Sequence, residues 1–136
     1  MTFDNLEIDP KNRKPTKIKG PIGIKELEYV IRKRANIKLR SPRCERAYQR
    51  FLKTHQGNYF PNLMNQKVRL RLNDYPYNLK PKLKHYILWY HGTWEGFEEN
   101  YKNLCKKYNP ELYWINKKEH RSIETPHAHL IIKETK

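Results

Sequence analysis

His127-Ala128-His129 sets two imidazoles two residues apart. On an extended strand, residues i and i+2 share a face. Two adjacent imidazoles make half a metal site or an acid–base pair. His85 lies in a second apolar segment, residues 85–90 (HYILWY), and if the two strands are neighbours, His85, His127 and His129 converge. Three neutral imidazoles and a water form a known catalytic zinc arrangement, whereas the same trio when protonated could hold a phosphate. In the metal reading one divalent ion, Zn or Mn, lowers the pKa of bound water, and Asp74 is the candidate further ligand or base. The competing reading is a set of packed, hydrogen-bonded histidines. His55, His91 and His120 fall in loops or at helix ends.

Known H-x-H chemistries restrict the choice. A histidine-triad nucleotide hydrolase alternates three histidines along one strand, but the third position here is Ile131. The 2H phosphodiesterases need H-x-T/S motifs, which are absent. Residues 126–131 (PHAHLI) resemble the metal-binding strand of rolling-circle nickases, yet no tyrosine follows His129.

These residues need elements to position them. Ile24, Leu27, Val30 and Ile31 lie on one helical face, with Arg32, Lys33 and Arg34 as a cationic last turn. Ser41-Pro42 reads as an N-cap followed by a first-turn proline, and Gly57 as the stop of that helix. Its expected buried face is Cys44, Ala47, Tyr48, Phe51 and Leu52, and its outer face Arg43, Arg46, Arg50 and Lys53. Val68, Leu70 and Leu72 alternate with Arg69 and Arg71 as in a half-buried strand, which residues 73–77 (NDYPY) break. Residues 84–90 are apolar on both faces, as in a central strand. Trp94, Phe97, Tyr101, Leu104, Cys105 and Tyr108 recur at helical spacing up to Asn109-Pro110, and residues 112–115 and 128–132 read as strands. The β-α-β-β order predicts a crossover that sets the first two of these strands parallel and a loop that returns the third antiparallel. The expected fold is α+β: N-terminal helices packed on a small mixed sheet containing a split β-α-β unit. Residues 1–20 mix charge with proline and glycine and read as a basic flexible tail, and residues 21–136 as a single domain.

The chain has 136 residues and a net charge of +15. Between Lys11 and Lys53 fifteen Lys and Arg face three acids, Glu26, Glu28 and Glu45. So one-sided a field attracts polyanions, nucleic acid among them, and makes binding salt-dependent. The candidate contacts are Arg32, Lys33, Arg34, Arg40, Arg43, Arg46 and Arg50, against the plainer reading of a solvated helix face. No apolar run is long enough to span a membrane and no secretory signal opens the chain, so the expected location is intracellular. Cys44 and Cys105 lack C-x-x-C spacing and read as reduced packing residues.

Four strings occur in an order that resembles the fungal N-acetylglucosamine-induced protein family, an uncharacterised domain also found in large DNA viruses. They are residues 40–51 (RSPRCERAYQRF), 72–79 (LNDYPYNL), 85–90 (HYILWY) and 122–132 (SIETPHAHLII). The resemblance covers residues 24–133. It maps onto Arg40, Ser41, Pro42 and Tyr48; Asn73, Asp74, Pro76 and Tyr77; His85 and Trp89; Trp114 and Asn116; and His127 and His129. Tyr75 stands where the family has Trp, and Asn78 where it has Gly. The resemblance implies no assigned activity. It does group Asn73, Asp74, Tyr77, His85, His127 and His129 into one candidate site, and it adds a viral setting, in the cytoplasm, viral factory or virion. Three functions follow as expectations: binding of an anionic partner, nucleic acid foremost; a metal-dependent hydrolase or nuclease using His85, His127 and His129; and a structural component of a viral particle, with an assembly partner.

Overall fold

The computed structural model describes residues 3–55, 61–118 and 121–134. In chain order these form β1 (Leu6–Ile8), β2 (Pro15–Ile18), α1 (Ile24–Arg32), α2 (Pro42–His55), β3 (Val68–Leu72), β4 (Leu83–Tyr90), α3 (Trp94–Lys106), β5 (Leu112–Trp114) and β6 (His127–Lys133). The class is α+β. The stop expected at Gly57 lies outside the described residues, as does His120.

Four strands form the main sheet in the order β3-β4-β6-β5. Every neighbouring pair is antiparallel, which corrects the expectation of a mixed sheet. Both β4 and β5 run opposite to β6 and therefore parallel to each other, with α3 as their crossover. The split β-α-β unit is present, and it is antiparallel by pairing because residues 115–126 are long enough to return β6 into the gap between β4 and β5. Register places His127 opposite Trp89, His129 opposite Ile87 and Ile131 opposite His85, and Trp114 opposite His129.

The sheet is covered on both faces, which explains the continuous apolar run of β4. On one face Leu88, Ala128 and Leu130 pack against Phe97 and Cys105 of α3. That helix starts at Thr93, whose hydroxyl accepts from Gly96 N at 3.1 Å, and ends before Asn109, which takes the left-handed conformation (φ 50°) ahead of Pro110. The opposite face is shared. Ile131 packs with Ile22 and Leu27 at the α1 end, and Ile87, Trp89 and Ile123 pack with Phe51 and Leu52 of α2. Ser41 caps α2, its Oγ accepting from Cys44 N at 3.3 Å. The apolar face foreseen for α2 does not close on the sheet: Cys44, Ala47, Tyr48, Phe51 and Leu52 are half-buried, and Glu45 is the buried residue of that helix.

Residues 1–20 are a second correction. Within the expected tail, β1 and β2 pair antiparallel, and Leu6 is 3% exposed. Glu26, itself buried, ties this hairpin to the start of α1: its carboxylate accepts from Asn5 N at 3.1 Å and from Gly23 N at 3.0 Å. Tyr29 Oη donates to Arg13 O at 2.7 Å on the same side. Strands of three and four residues, with an irregular register at Glu7/Ile8, are too short to show a period in the sequence. No helix among the described residues is long and apolar enough to cross a membrane.

Candidate functional site

The period of a strand puts His127, His129 and Ile131 on the α1/α2 side of the sheet and Ala128, Leu130 and Ile132 on the α3 side. His85 joins the first set from β4. All three imidazoles are buried, at 1% (His85), 6% (His127) and 6% (His129) exposure. The expected convergence takes a specific form. His85 reaches diagonally across the strands, its Nε2 lying 2.9 Å from His129 Nδ1.

Hydrogen-bond partners assign the protons. Tyr77 N–H points at His85 Nδ1 at 3.2 Å, so that nitrogen is an acceptor. His85 therefore carries its proton on Nε2 and donates it to His129 Nδ1. His129 in turn holds its proton on Nε2 and donates it to the Asn116 side-chain amide, 3.5 Å away, which accepts with its oxygen turned toward the ring. At His127 the arrangement is reversed: Nδ1–H donates to Thr125 O at 2.7 Å, leaving Nε2 as the acceptor. The loop before β6 is itself anchored, by Trp94 Nε1–H donating to Glu124 O at 2.7 Å and by an Arg121–Glu98 ion pair at 2.6 Å.

Burial keeps these rings neutral. It pushes His85 down to about 3, with the positive charge of Arg40 and the neighbouring His127 adding to the effect. His129 is held well below 6.5 by burial, then by His85, His127 and Arg40. His127 is lowered by burial, partly opposed by its bond to Thr125 O. Tyr77 packs on His85 with ring centroids 4.2 Å apart, and Trp114 stacks on His129 at 5.1 Å and 15°.

Above these rings lies a cavity of about 680 Å³ between α2, the end of α1 and the sheet. Its lining includes His127, His129, Asn116 and Trp114 from the sheet side and Tyr48 from α2. Tyr48 Oη and Ser122 Oγ hydrogen-bond across it at 2.8 Å. Arg40 enters at its wall. Its Nε donates to Tyr75 O at 2.6 Å, its guanidinium lies 3.8 Å over the Tyr48 ring, and its Nη1 is 3.7 Å from Glu45 Oε1.

The residues expected to act together are thus partly assembled. Asn73, Tyr77, His85 and His129 form one connected network, with Asn73 Nδ2 3.4 Å from His85 Nδ1 and Asn73 Oδ1 accepting from Tyr75 N at 2.8 Å. His127 sits beside it, its ring centroid 5.1 Å from that of Trp89. Asp74 is exposed at the cavity rim. Pro76 is exposed, and its carbonyl accepts from Cys44 Sγ. His55 and His91 are exposed. Among the described residues no three His, Cys, Asp or Glu side chains form a group that could hold a metal ion, and the facing nitrogens of His85 and His129 are bonded to each other.

Arg40 differs from the other cations grouped with it, since its side chain is largely withdrawn into the cavity wall while Arg32, Lys33, Arg34, Arg43, Arg46 and Arg50 are exposed. Sequence reasoning missed Lys38, Arg71, Lys117 and Ser122 as cavity residues. Arg71 carried a signal: it lies opposite Ile87 in the register and shares its face.

No family model matches the chain. No curated protein matches it. Among solved structures it is similar to HTC1, as seen in its crystal structure, at 16% identity and a TM-score of 0.56, over 82% of this chain and 85% of that one. At that identity the likeness shows a shared fold.

Proposed function

We propose that this chain binds an anionic partner, nucleic acid, through the cations at the end of α1 and along the outer face of α2. One observation carries the reading: Arg32, Lys33, Arg34, Arg43, Arg46 and Arg50 are all exposed, and none forms an ion pair among the described residues. Two of the three acids in that basic stretch are paired with cations other than these six, Glu26 with Lys80 and Glu45 with Arg40. Arg43, Arg46 and Arg50 follow at i, i+3 and i+7, which keeps them on one face over about 10 Å of helix. That length matches about three phosphates of one strand at roughly 3.4 Å spacing.

The test is fluorescence anisotropy of labelled single-stranded and duplex oligonucleotides between 50 and 200 mM salt. Binding is expected to weaken with salt, and the triple variant Arg43→Ala/Arg46→Ala/Arg50→Ala to flatten the log–log slope by about two to three units. A slope unchanged in the triple variant, or no binding at the lowest salt, refutes the proposal.

A further inference from the structure

The cavity has a chemistry that the exposed cations do not explain. Its floor presents two polar groups of opposite character: the Asn116 amide, whose oxygen takes the His129 Nε2 proton so that its NH2 remains a donor, and His127 Nε2, an acceptor set by the bond from Nδ1 to Thr125 O. The His127 and His129 rings are 5.5 Å apart at 75°. His127 lines the cavity, and its hydrogen bond to Thr125 O is made by Nδ1, not by Nε2.

The walls add two further features. Tyr48, Tyr75, Tyr77 and Trp114 supply aromatic surface. Among the described residues five cations line the space, Arg34, Lys38, Arg40, Arg71 and Lys117, against two acids, Glu45 and Asp74. Glu45 is already engaged by Arg40 and by Gln49 Nε2 at 2.5 Å. Arg34, Lys38 and Lys117 are exposed, so the cavity opens to solvent at a cationic rim and ends at a neutral, polar floor.

A ligand complementary to this arrangement is planar, has an acceptor and a donor side by side on one edge, and carries an anion at its far end. Nucleobases have such an edge and stack on aromatic side chains, and a single phosphate suits the cationic rim. A volume of about 680 Å³ falls within the range of small-ligand pockets, roughly 300–1,000 Å³. We infer that the cavity is a mononucleotide site, in which His127 and Asn116 read the base edge, the aromatic walls hold the base, and Lys38 and Lys117 meet the phosphate. This site lies off the outer face of α2, shares Arg34 with the proposed polyanion surface, and stands without the polyanion reading.

The experiment is calorimetric titration of the full chain with AMP, GMP, CMP and UMP, with the matching nucleosides and inorganic phosphate as controls. At least one nucleotide is expected to bind with a micromolar Kd, at least tenfold more tightly than its nucleoside or phosphate alone. His127→Phe keeps a ring against Trp89 but removes the acceptor, and is expected to weaken binding at least tenfold. Lys38→Glu/Lys117→Glu changes exposed residues only and tests the rim even if the first variant fails to fold; it too is expected to weaken binding at least tenfold. Arg43→Ala/Arg46→Ala/Arg50→Ala is expected to leave nucleotide affinity unchanged, which separates the two sites. No heat with any of the four nucleotides, phosphate binding as tightly as the nucleotide, or wild-type affinity in the rim variant overturns the inference.

Discussion

His85 Nε2–H donates to His129 Nδ1 at 2.9 Å across a diagonal of the β4–β6 pair. The bond requires His129 Nδ1 to lack a proton, so it holds only while the His129 ring is neutral. Protonating His129 Nδ1 would set two donors against each other inside a buried network that the sheet cannot widen. The three imidazoles are therefore tied to the folded state by their neutrality as well as by their packing.

Stability should fall in mild acid for this reason. His85, His127 and His129 all have folded pKa values below 6.5, His85 at about 3. Around and below pH 6.5 the unfolded chain takes up protons that the folded chain refuses, so the stability is fully present well above that pH and is lost as the pH falls toward 3. Each such histidine contributes a slope of up to about 1.4 kcal/mol per pH unit. Urea unfolding at pH 7.5, 6.5 and 5.5, a range above most carboxylate titration, should show a midpoint that begins to fall between pH 7.5 and 6.5 and falls more steeply by pH 5.5. A flat midpoint down to pH 5.5 would contradict the neutrality of the three buried rings.

Asn73 holds the turn that delivers Tyr77 to His85. Its Oδ1 accepts from Tyr75 N at 2.8 Å and its Nδ2 lies 3.4 Å from His85 Nδ1, at 9% exposure. Asn73→Ala should cost about 1–3 kcal/mol, the scale of a buried partner left unmatched. Asp74→Ala, next door but exposed, should cost within about 0.5 kcal/mol. Equal losses in the two variants, measured by chemical denaturation, would show that the turn does not depend on the Asn73 side chain.

Much of this site is legible in the amino-acid sequence, and the reason is local geometry. Period two fixes the shared face of His127 and His129, and the apolar run of residues 85–90 implies a central strand, so their meeting follows from adjacency. The proton assignments are not legible there, because they depend on Tyr77 N and Thr125 O, backbone groups of a kind that nearly every residue carries. The hairpin of residues 6–18 is hidden by its short strands. The cavity is hidden by α2, whose apolar stripe of Tyr48, Phe51 and Leu52 looks the same in sequence whether it meets a closed core or an open space.

That difference between the two covering helices is measurable. Phe97 of α3 is fully buried against Leu88, Ala128 and Leu130, and Phe97→Ala should cost about 3–5 kcal/mol. Phe51 of α2 is half-buried and borders the cavity, so Phe51→Ala should cost no more than about half as much. Comparable losses in denaturant midpoints would mean that α2 closes on the sheet as tightly as α3 does.

Arg40 should behave unlike every other arginine of the basic stretch. Arg40 and Glu45 side chains are each 12% exposed, and Arg40 also binds Tyr75 O and covers the Tyr48 ring. Arg40→Ala leaves the Glu45 carboxylate buried with Gln49 alone, and breaking such a pair from one side costs about 3–5 kcal/mol. Lysine cannot replace the planar, forked group that stacks and donates at once, so Arg40→Lys should recover less than half of that loss. Removing the second charge should help: Arg40→Ala/Glu45→Gln is expected to be more stable than Arg40→Ala alone. Arg43→Ala, on the exposed side of the same helix, should change stability by no more than about 0.5 kcal/mol. A mild Arg40→Ala phenotype in thermal and urea denaturation would mean that the guanidinium serves the cavity and not the fold.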